Sequence, residues 1–109
     1  MVVQNWTDAQ LDDIFHALAD TTRRDILARV TSREQSVSGL ADRYAMSFAA
    51  VQKHVAVLER VGLVTKVRRG RELLVRSEPE TLRQAREALD QLAEAWQGRV
   101  ERMAALLEE

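Results

Sequence analysis

The strongest concentration of positive charge in the chain surrounds a glycine, in the stretch Arg68-Arg69-Gly70-Arg71. Apolar residues on both sides of this stretch predict a β-hairpin whose tight turn lies at the glycine. Guanidinium groups hydrogen-bond phosphates readily, so three of them on a protruding hairpin suit a nucleic-acid backbone or a narrow minor groove. The alternative is a basic hairpin that only water surrounds.

A predicted helix from about residue 48 to residue 60 carries a second group of side chains that suit a nucleic acid. Ser47 is placed as its N-cap, and Val51, Val55 and Leu58 recur at the spacing of one buried helical face. At about 100° per residue, the side chains opposite this face are Ala49, Lys53, Ala56 and Arg60, with Ala50 and Gln52 at its edges.

The start of such a helix can enter the major groove of DNA, where small side chains allow a close approach. Gln52 can pair with an adenine, and Lys53 suits a guanine or a phosphate. Ala49 or Ala50 can contact a thymine methyl group. Phe48 falls nearer the buried face, which leaves open whether it packs against the preceding helix or touches DNA.

The two histidines, His16 and His54, lie far apart in the sequence and are a thin basis for a metal site. His54 lies at the border of the buried face, where a structural role or a phosphate contact is commoner than metal ligation. The chain has no cysteine, which excludes disulfides, thiolate metal sites and cysteine nucleophiles. No nucleophile–base pair, phosphate loop or carboxylate dyad is recognisable, so we expect no catalysis, no metal and no cofactor.

The charge of the chain is unevenly distributed, although the net charge is only −1. Residues 1–41 carry four arginines against six acidic side chains, a local charge of −2. Residues 42–76 carry eight basic against three acidic side chains, giving +5, and residues 77–109 carry four against eight, giving −4. A basic middle segment between acidic flanks can face phosphates. Chance alone can also produce such a distribution.

The composition is that of one globular domain, with 109 residues, 46% apolar and 30% charged. No segment approaches the ~20 apolar residues that a membrane span needs. The stretch from Met1 to Trp6 lacks the basic start and apolar run of a signal peptide. We therefore expect a cytoplasmic protein with no membrane partner.

Apolar spacing and turn residues predict the elements that position these side chains. Three helices come first, with a polar loop at residues 31–35 and the third helix ending near Tyr44. The fourth helix stops at Gly62, the hairpin follows, and Pro79 opens a last helix to about Leu107. This order predicts a mainly α fold with a small β-hairpin, a winged helix-turn-helix of about five helices plus a two-stranded wing. A generic helical bundle with one hairpin is the alternative.

In the winged helix-turn-helix prediction, the single domain, 1–109, divides into a helix-turn-helix (36–61), a wing (63–76) and a dimerisation helix (79–107).

The last helix carries an apolar stripe that is interrupted at Arg99: Leu82, Ala85, Leu89, Leu92, Trp96, Met103 and Leu106. Such a stripe could pack inside one subunit. A helix of this length exceeds what a small domain needs to cover its own core, so a seam with a second copy is the better use. The first helix would add Trp6, Leu11 and Ile14 to this interface.

Several of these stretches resemble the ArsR/SmtB family of bacterial repressors. Residues 15–27 are similar to the family's Phe-x-Ala-Leu-Ala-Asp-Pro-Thr-Arg-Arg-x-Ile-Leu run, with Thr21 in place of the proline. Residues 46–64 resemble its recognition helix, with Gln52 where a serine is common, and residues 68–71 match its wing. The resemblance, which covers roughly residues 10–76, implies a DNA contact for Phe48 and a dimer formed by the two terminal helices.

Many members of that family sense metals through cysteines in the third helix or through His and acidic pairs on the last helix. Here residues 38–45 contain no cysteine and the last helix contains no histidine. Thiolate sensing of arsenic, cadmium or lead is therefore excluded, and a His-rich zinc or nickel site is not expected.

The sequence predicts a sequence-specific DNA-binding regulator, most simply a homodimeric repressor of its own or neighbouring genes, with an unknown effector. Its partners would be double-stranded operator DNA and a second copy of itself. The expected DNA contacts are Ser47, Phe48, Ala49, Ala50, Gln52, Lys53, His54, Arg68, Arg69 and Arg71. The expected dimer contacts are Leu11, Ile14, Leu82, Leu89, Leu92, Trp96 and Met103. The alternative is a module that keeps the winged fold but binds protein through its wing and last helix.

Overall fold

The computed structural model describes residues 7–108, in which five helices and three strands lie. The helices are α1 (Asp8–Leu18), α2 (Thr21–Ser32), α3 (Val37–Ala41), α4 (Phe48–Arg60) and α5 (Pro79–Leu107). The strands are β1 (Gln35–Ser36), β2 (Val64–Arg69) and β3 (Glu72–Ser77). They form one antiparallel sheet in the order β1-β3-β2, so the mainly α winged helix-turn-helix fold is confirmed.

Short polar side chains begin the first four helices. Thr7 and Gln10 exchange hydrogen bonds in a capping box at the start of α1. Asp20, Ser36 and Ser47 each accept a hydrogen bond from the backbone N–H three residues further on. These bonds satisfy amides that the first helical turn leaves without a partner, and they fix where each helix begins.

The sheet contains a third strand that the sequence did not predict. Gln35 and Ser36 lie opposite Val75 and Leu74 of β3, where a loop was expected over residues 31–35. The first part of that stretch instead completes α2. A strand of two residues is too short to show the alternation that identifies strands in a sequence. The strand β1 forms because the edge of β3 opposite β2 is open to backbone hydrogen bonds.

The third helix ends earlier than predicted, at Ala41, and side chains hold the turn that follows. The hydroxyl of Tyr44 donates to Asp25 on α2 at 2.5 Å. Arg29 pairs with the same carboxylate at 2.8 Å and lies 5.9 Å from the centroid of the tyrosine ring. Burial, together with the bond to Asp25, raises the pKa of Tyr44 to about 12. The phenol therefore stays protonated and anchors the turn to α2.

The core lies between the first four helices and the sheet. The predicted inner face of α4 is confirmed, because Val51, Val55 and Leu58 have no exposed surface. Gly62 ends this helix with φ +80°, a left-handed conformation that favours glycine. The other fully buried large side chains in the described chain are Ile26, Leu40, Leu63, Val64 and Val75. This packing fixes the position of α4, and therefore of its first turns, on the core.

In the described chain, the long helix α5 contacts this core only near its start, through Leu82 and Ala85. Within the described part of the helix, Ala85 is its one buried residue. The large apolar side chains it exposes are Leu89, Leu92, Trp96, Val100, Met103, Leu106 and Leu107. None of the helices within residues 7–108 has the length and apolar character to cross a membrane.

Candidate nucleic-acid interface

The first turns of α4 present polar and small side chains to solvent. The hydroxyl of Ser47 accepts from the Ala50 amide at 3.1 Å, which sets the start of the helix. Ala49, Gln52 and Lys53 are exposed, and Ala50 is half-buried. Neither the Gln52 side chain nor the Lys53 side chain has a hydrogen-bond or ion-pair partner among residues 7–108. Their polar groups are available to a ligand.

The wing places three guanidinium groups around its turn. Gly70 has φ +63°, so the predicted tight turn is present and glycine relieves its strain. Arg68, Arg69 and Arg71 are all exposed. Arg69 pairs with Glu34 at 3.1 Å, whereas Arg68 and Arg71 have no ion-pair partner in the described part of the chain.

One groove joins these two groups of side chains. Phe48 and Gln52 of α4 line it on one side, and Arg68 and Arg71 of the wing line it on another. Leu73 contributes apolar surface, and the cavity measures about 330 Å³. Residues that lie far apart in the sequence therefore border the same concave surface, with apolar and cationic groups side by side.

Phe48 belongs to this surface and not to the core. Its side chain is 47% exposed and lines the groove. The count of 100° per residue placed it nearer the buried face. That count gives the direction of a side chain on the helix, but it does not show whether a neighbouring element covers it, and at the start of α4 Phe48 stays exposed.

His54 faces partners on α2 that sequence spacing did not reveal. Its Nδ1 lies 3.4 Å from a guanidinium nitrogen of Arg23, 31 residues away in the chain, and 3.8 Å from the carboxylate of Asp20. Arg23 also donates to the carbonyl oxygens of Ala17 and His16. The backbone N–H of Arg23, which bonds the Asp20 carboxylate, lowers the pKa of that group. His54 thus ties α4 to the start of α2.

The side chains expected at a dimer interface differ in how exposed they are. Four of them lie on the exposed face of α5: Leu89, Leu92, Trp96 and Met103. Leu82 packs against the core and Leu11 is half-buried. Ile14 differs from the expectation, because it is only 3% exposed and belongs to the core of its own subunit. Trp6 lies outside the described residues.

Sequence reasoning missed two members of the apolar face of α5. Val100 and Leu107 are exposed and continue the three- and four-residue steps from Trp96 through Met103. The expected interruption at Arg99 is therefore absent when the stripe is followed through Val100. Both residues stand at these steps in the sequence, but the predicted stripe left out Val100 and ended at Leu106.

No group of three or more histidine or carboxylate side chains within residues 7–108 is placed to hold a metal ion. His16 lines a separate, open groove of about 600 Å³ between α1, α4 and α5. Asp13 and Arg60 share that groove, so it presents charges of both signs.

Comparisons with known proteins point to one family. A helix-turn-helix domain family matches residues 18–67. The uncharacterized HTH-type transcriptional regulator YuzN of Bacillus subtilis is 40% identical over 77 residues, which cover 62% of this chain and 84% of YuzN.

Solved structures agree with the sequence matches. An ArsR-like transcriptional regulator from Rhodococcus sp. RHA1 is 34% identical, with a TM-score of 0.79 over 90% of this chain and 92% of that chain. The homodimeric winged helix-turn-helix DNA-binding domain of a possible ArsR-family regulator from Mycobacterium bovis is 25% identical. Its TM-score is 0.65, over 87% of this chain and 91% of that one. The sequence and structural matches together show that this chain belongs to the ArsR family of winged helix-turn-helix transcriptional regulators, which bind DNA and are not enzymes.

Proposed function

We propose that the protein is a cytoplasmic homodimeric repressor that binds operator DNA of its own or neighbouring genes. In this proposal residues 36–61 form the helix-turn-helix, residues 63–76 the wing and residues 79–107 the dimerisation helix. The observation that supports it is the groove where the start of α4 meets two wing arginines without ion-pair partners in the described chain.

The first turns of α4 would read bases in the major groove. Gln52 has a free amide that can pair with both polar atoms of an adenine edge, and Lys53 can donate to a guanine or a phosphate. Ala49 and Phe48 are exposed apolar surfaces that suit thymine methyl groups. The hydroxyl of Ser47 already caps the helix, so its contribution is to aim the helix start.

The wing, together with His54 of α4, would bind the DNA backbone. Arg68 and Arg71 offer five donors each to phosphates and carry no competing ion pair in the described chain. Arg69 would join them by leaving Glu34. His54 uses Nδ1 toward α2, so only its other ring nitrogen, Nε2, is left for a phosphate.

The exposed apolar face of α5 would form the seam of a homodimer. In the subunit, 62% of Trp96 and 66% of Leu92 are exposed. Burying this apolar surface against a second copy would stabilise the dimer. The homodimeric state of the Mycobacterium bovis domain supports this arrangement. A two-fold axis then places two recognition helices in successive major grooves, about 34 Å apart, on a palindromic site.

Selection of bound duplexes from random DNA tests the function directly. We expect enrichment of a roughly palindromic motif and an affinity that falls steeply with added salt. If the pure protein bound no duplex even at low salt, the DNA-binding reading would fail, and the protein-binding module would be the better account.

A further inference from the structure

Glu34, in the short connection between α2 and β1, holds two arginines of the wing at once. One oxygen, Oε2, accepts from Arg76 twice, at 2.8 Å and 3.1 Å. The other, Oε1, accepts from Arg69 at 3.1 Å. Spacing along the chain does not indicate this cluster, because the partners lie 35 and 42 residues away.

The third strand fixes Glu34 in this place. Gln35 lies opposite Val75 in the sheet, so the residue before Gln35 is brought beside Arg76. The hydrogen bonds from Arg76, and to a lesser degree the charge of Arg69, lower the pKa of the Glu34 carboxyl. Glu34 therefore carries a full negative charge at neutral pH.

The two arginines are held unequally. The side chain of Arg76 is 43% exposed and makes two hydrogen bonds to the carboxylate. The side chain of Arg69 is 65% exposed, makes one hydrogen bond and lies beside the turn at Gly70. Arg76 anchors the carboxylate, whereas Arg69 can exchange it for another anion.

We propose that Glu34 sets the DNA affinity of the wing by competing with phosphate for Arg69. The inference rests on the proposed contact between wing and DNA. An exposed ion pair is weak, so Glu34 moderates the phosphate contact without blocking it. Anchored by Arg76, its carboxylate stays in place to recapture Arg69 whenever the DNA leaves.

The first test is Glu34→Gln, measured by fluorescence anisotropy with a labelled duplex of mixed sequence. The amide oxygen of glutamine can still accept from Arg76, but the charge that holds Arg69 is gone. We expect binding about two- to fivefold tighter, the size that loss of one exposed ion pair predicts. Glu72→Gln is the matched control, because Glu72 lies opposite Arg69 in the hairpin and lines the same groove but forms no ion pair in the described chain.

An Arg69→Ala background separates competition from general repulsion. If Glu34 acts through Arg69, the gain from Glu34→Gln disappears in this background, whereas any gain from Glu72→Gln persists. An equal gain from Glu34→Gln in both backgrounds, or weaker binding by Glu34→Gln alone, would overturn the proposal. If the wild type bound no DNA, the function and this inference would both fail.

A measurement on the unmodified protein guards against a folding defect in the variant. The side-chain NMR signals of Arg69 should shift when DNA is added, because its partner changes from carboxylate to phosphate. Those of Arg76 should change little. DNA binding that left the Arg69 signals unmoved would show that this residue never leaves Glu34.

Discussion

At the scale of single residues, the proposed interface separates side chains that choose a sequence from side chains that hold DNA. Gln52→Ala should cost about 1–3 kcal/mol on the preferred operator and relax the choice at one base pair, since it removes a paired hydrogen bond to a base. Repeating the selection with the variant measures this. Arg71→Ala is the comparison, and it should weaken binding to all sequences alike. An unchanged motif from Gln52→Ala would refute the base-reading role.

Tyr44 gives a prediction about pH, because it is the one tyrosine of the chain. Its pKa is raised from 10.0 to about 12 by burial and by the bond to Asp25. The folded state thus favours the protonated phenol, so its contribution to stability is complete below pH 10.0 and is lost as the pH rises toward 12. Ultraviolet titration of the folded protein should show late ionisation. Between pH 10.0 and 12, the free energy of unfolding of Tyr44→Phe should fall less than that of the wild type.

The residue roles that sequence could predict are those that neighbours in the chain determine. Ser47 and Gly70 have functions that only a few adjacent residues define, a helix cap and a tight turn, and both are present. The partners of Arg69 and His54 lie more than thirty residues away. Spacing along the chain holds no information about such pairs, so these contacts needed the folded structure.

At the scale of elements, the helices were predictable and the added strand was not. Each of α1 to α4 has a capping residue and an apolar face that a short stretch of sequence defines. In contrast, β1 consists of two residues that depend on β3 for their pairing. Ile14 shows a related limit. An apolar residue on the first helix suits the subunit core and a dimer seam equally well until the position of the helix is known.

The seam on α5 yields a sharp test. Leu92→Glu places a charge on the exposed apolar face, and burying it in a dimer would be strongly unfavourable. We expect monomers in sedimentation and loss of operator affinity, with the helical spectrum of the domain core retained. Gln91→Glu adds the same charge at an exposed neighbouring position and should remain dimeric. A Leu92→Glu protein that dimerises and binds normally would place the seam elsewhere.

At the scale of the whole molecule, we predict that metal ions do not control DNA binding. The chain has no cysteine, and the described residues contain no cluster of three histidine or carboxylate ligands. Zinc, nickel or arsenite at modest concentration should therefore leave DNA binding unchanged. Titration calorimetry provides the check, and one tight, stoichiometric metal ion per subunit would contradict the expectation.

The exposure of the second half of α5 has a consequence for how the protein responds to its own concentration. Beyond Ala85 the helix has no buried residue, and a helix without packing is marginally stable in water. Its second half should therefore fray on dilution and become ordered on association, which circular dichroism at falling concentrations would record. Folding, pairing and DNA occupancy then rise together with the number of copies in the cell. If the protein represses its own gene, as proposed above, this coupling makes repression begin above a threshold concentration of the protein.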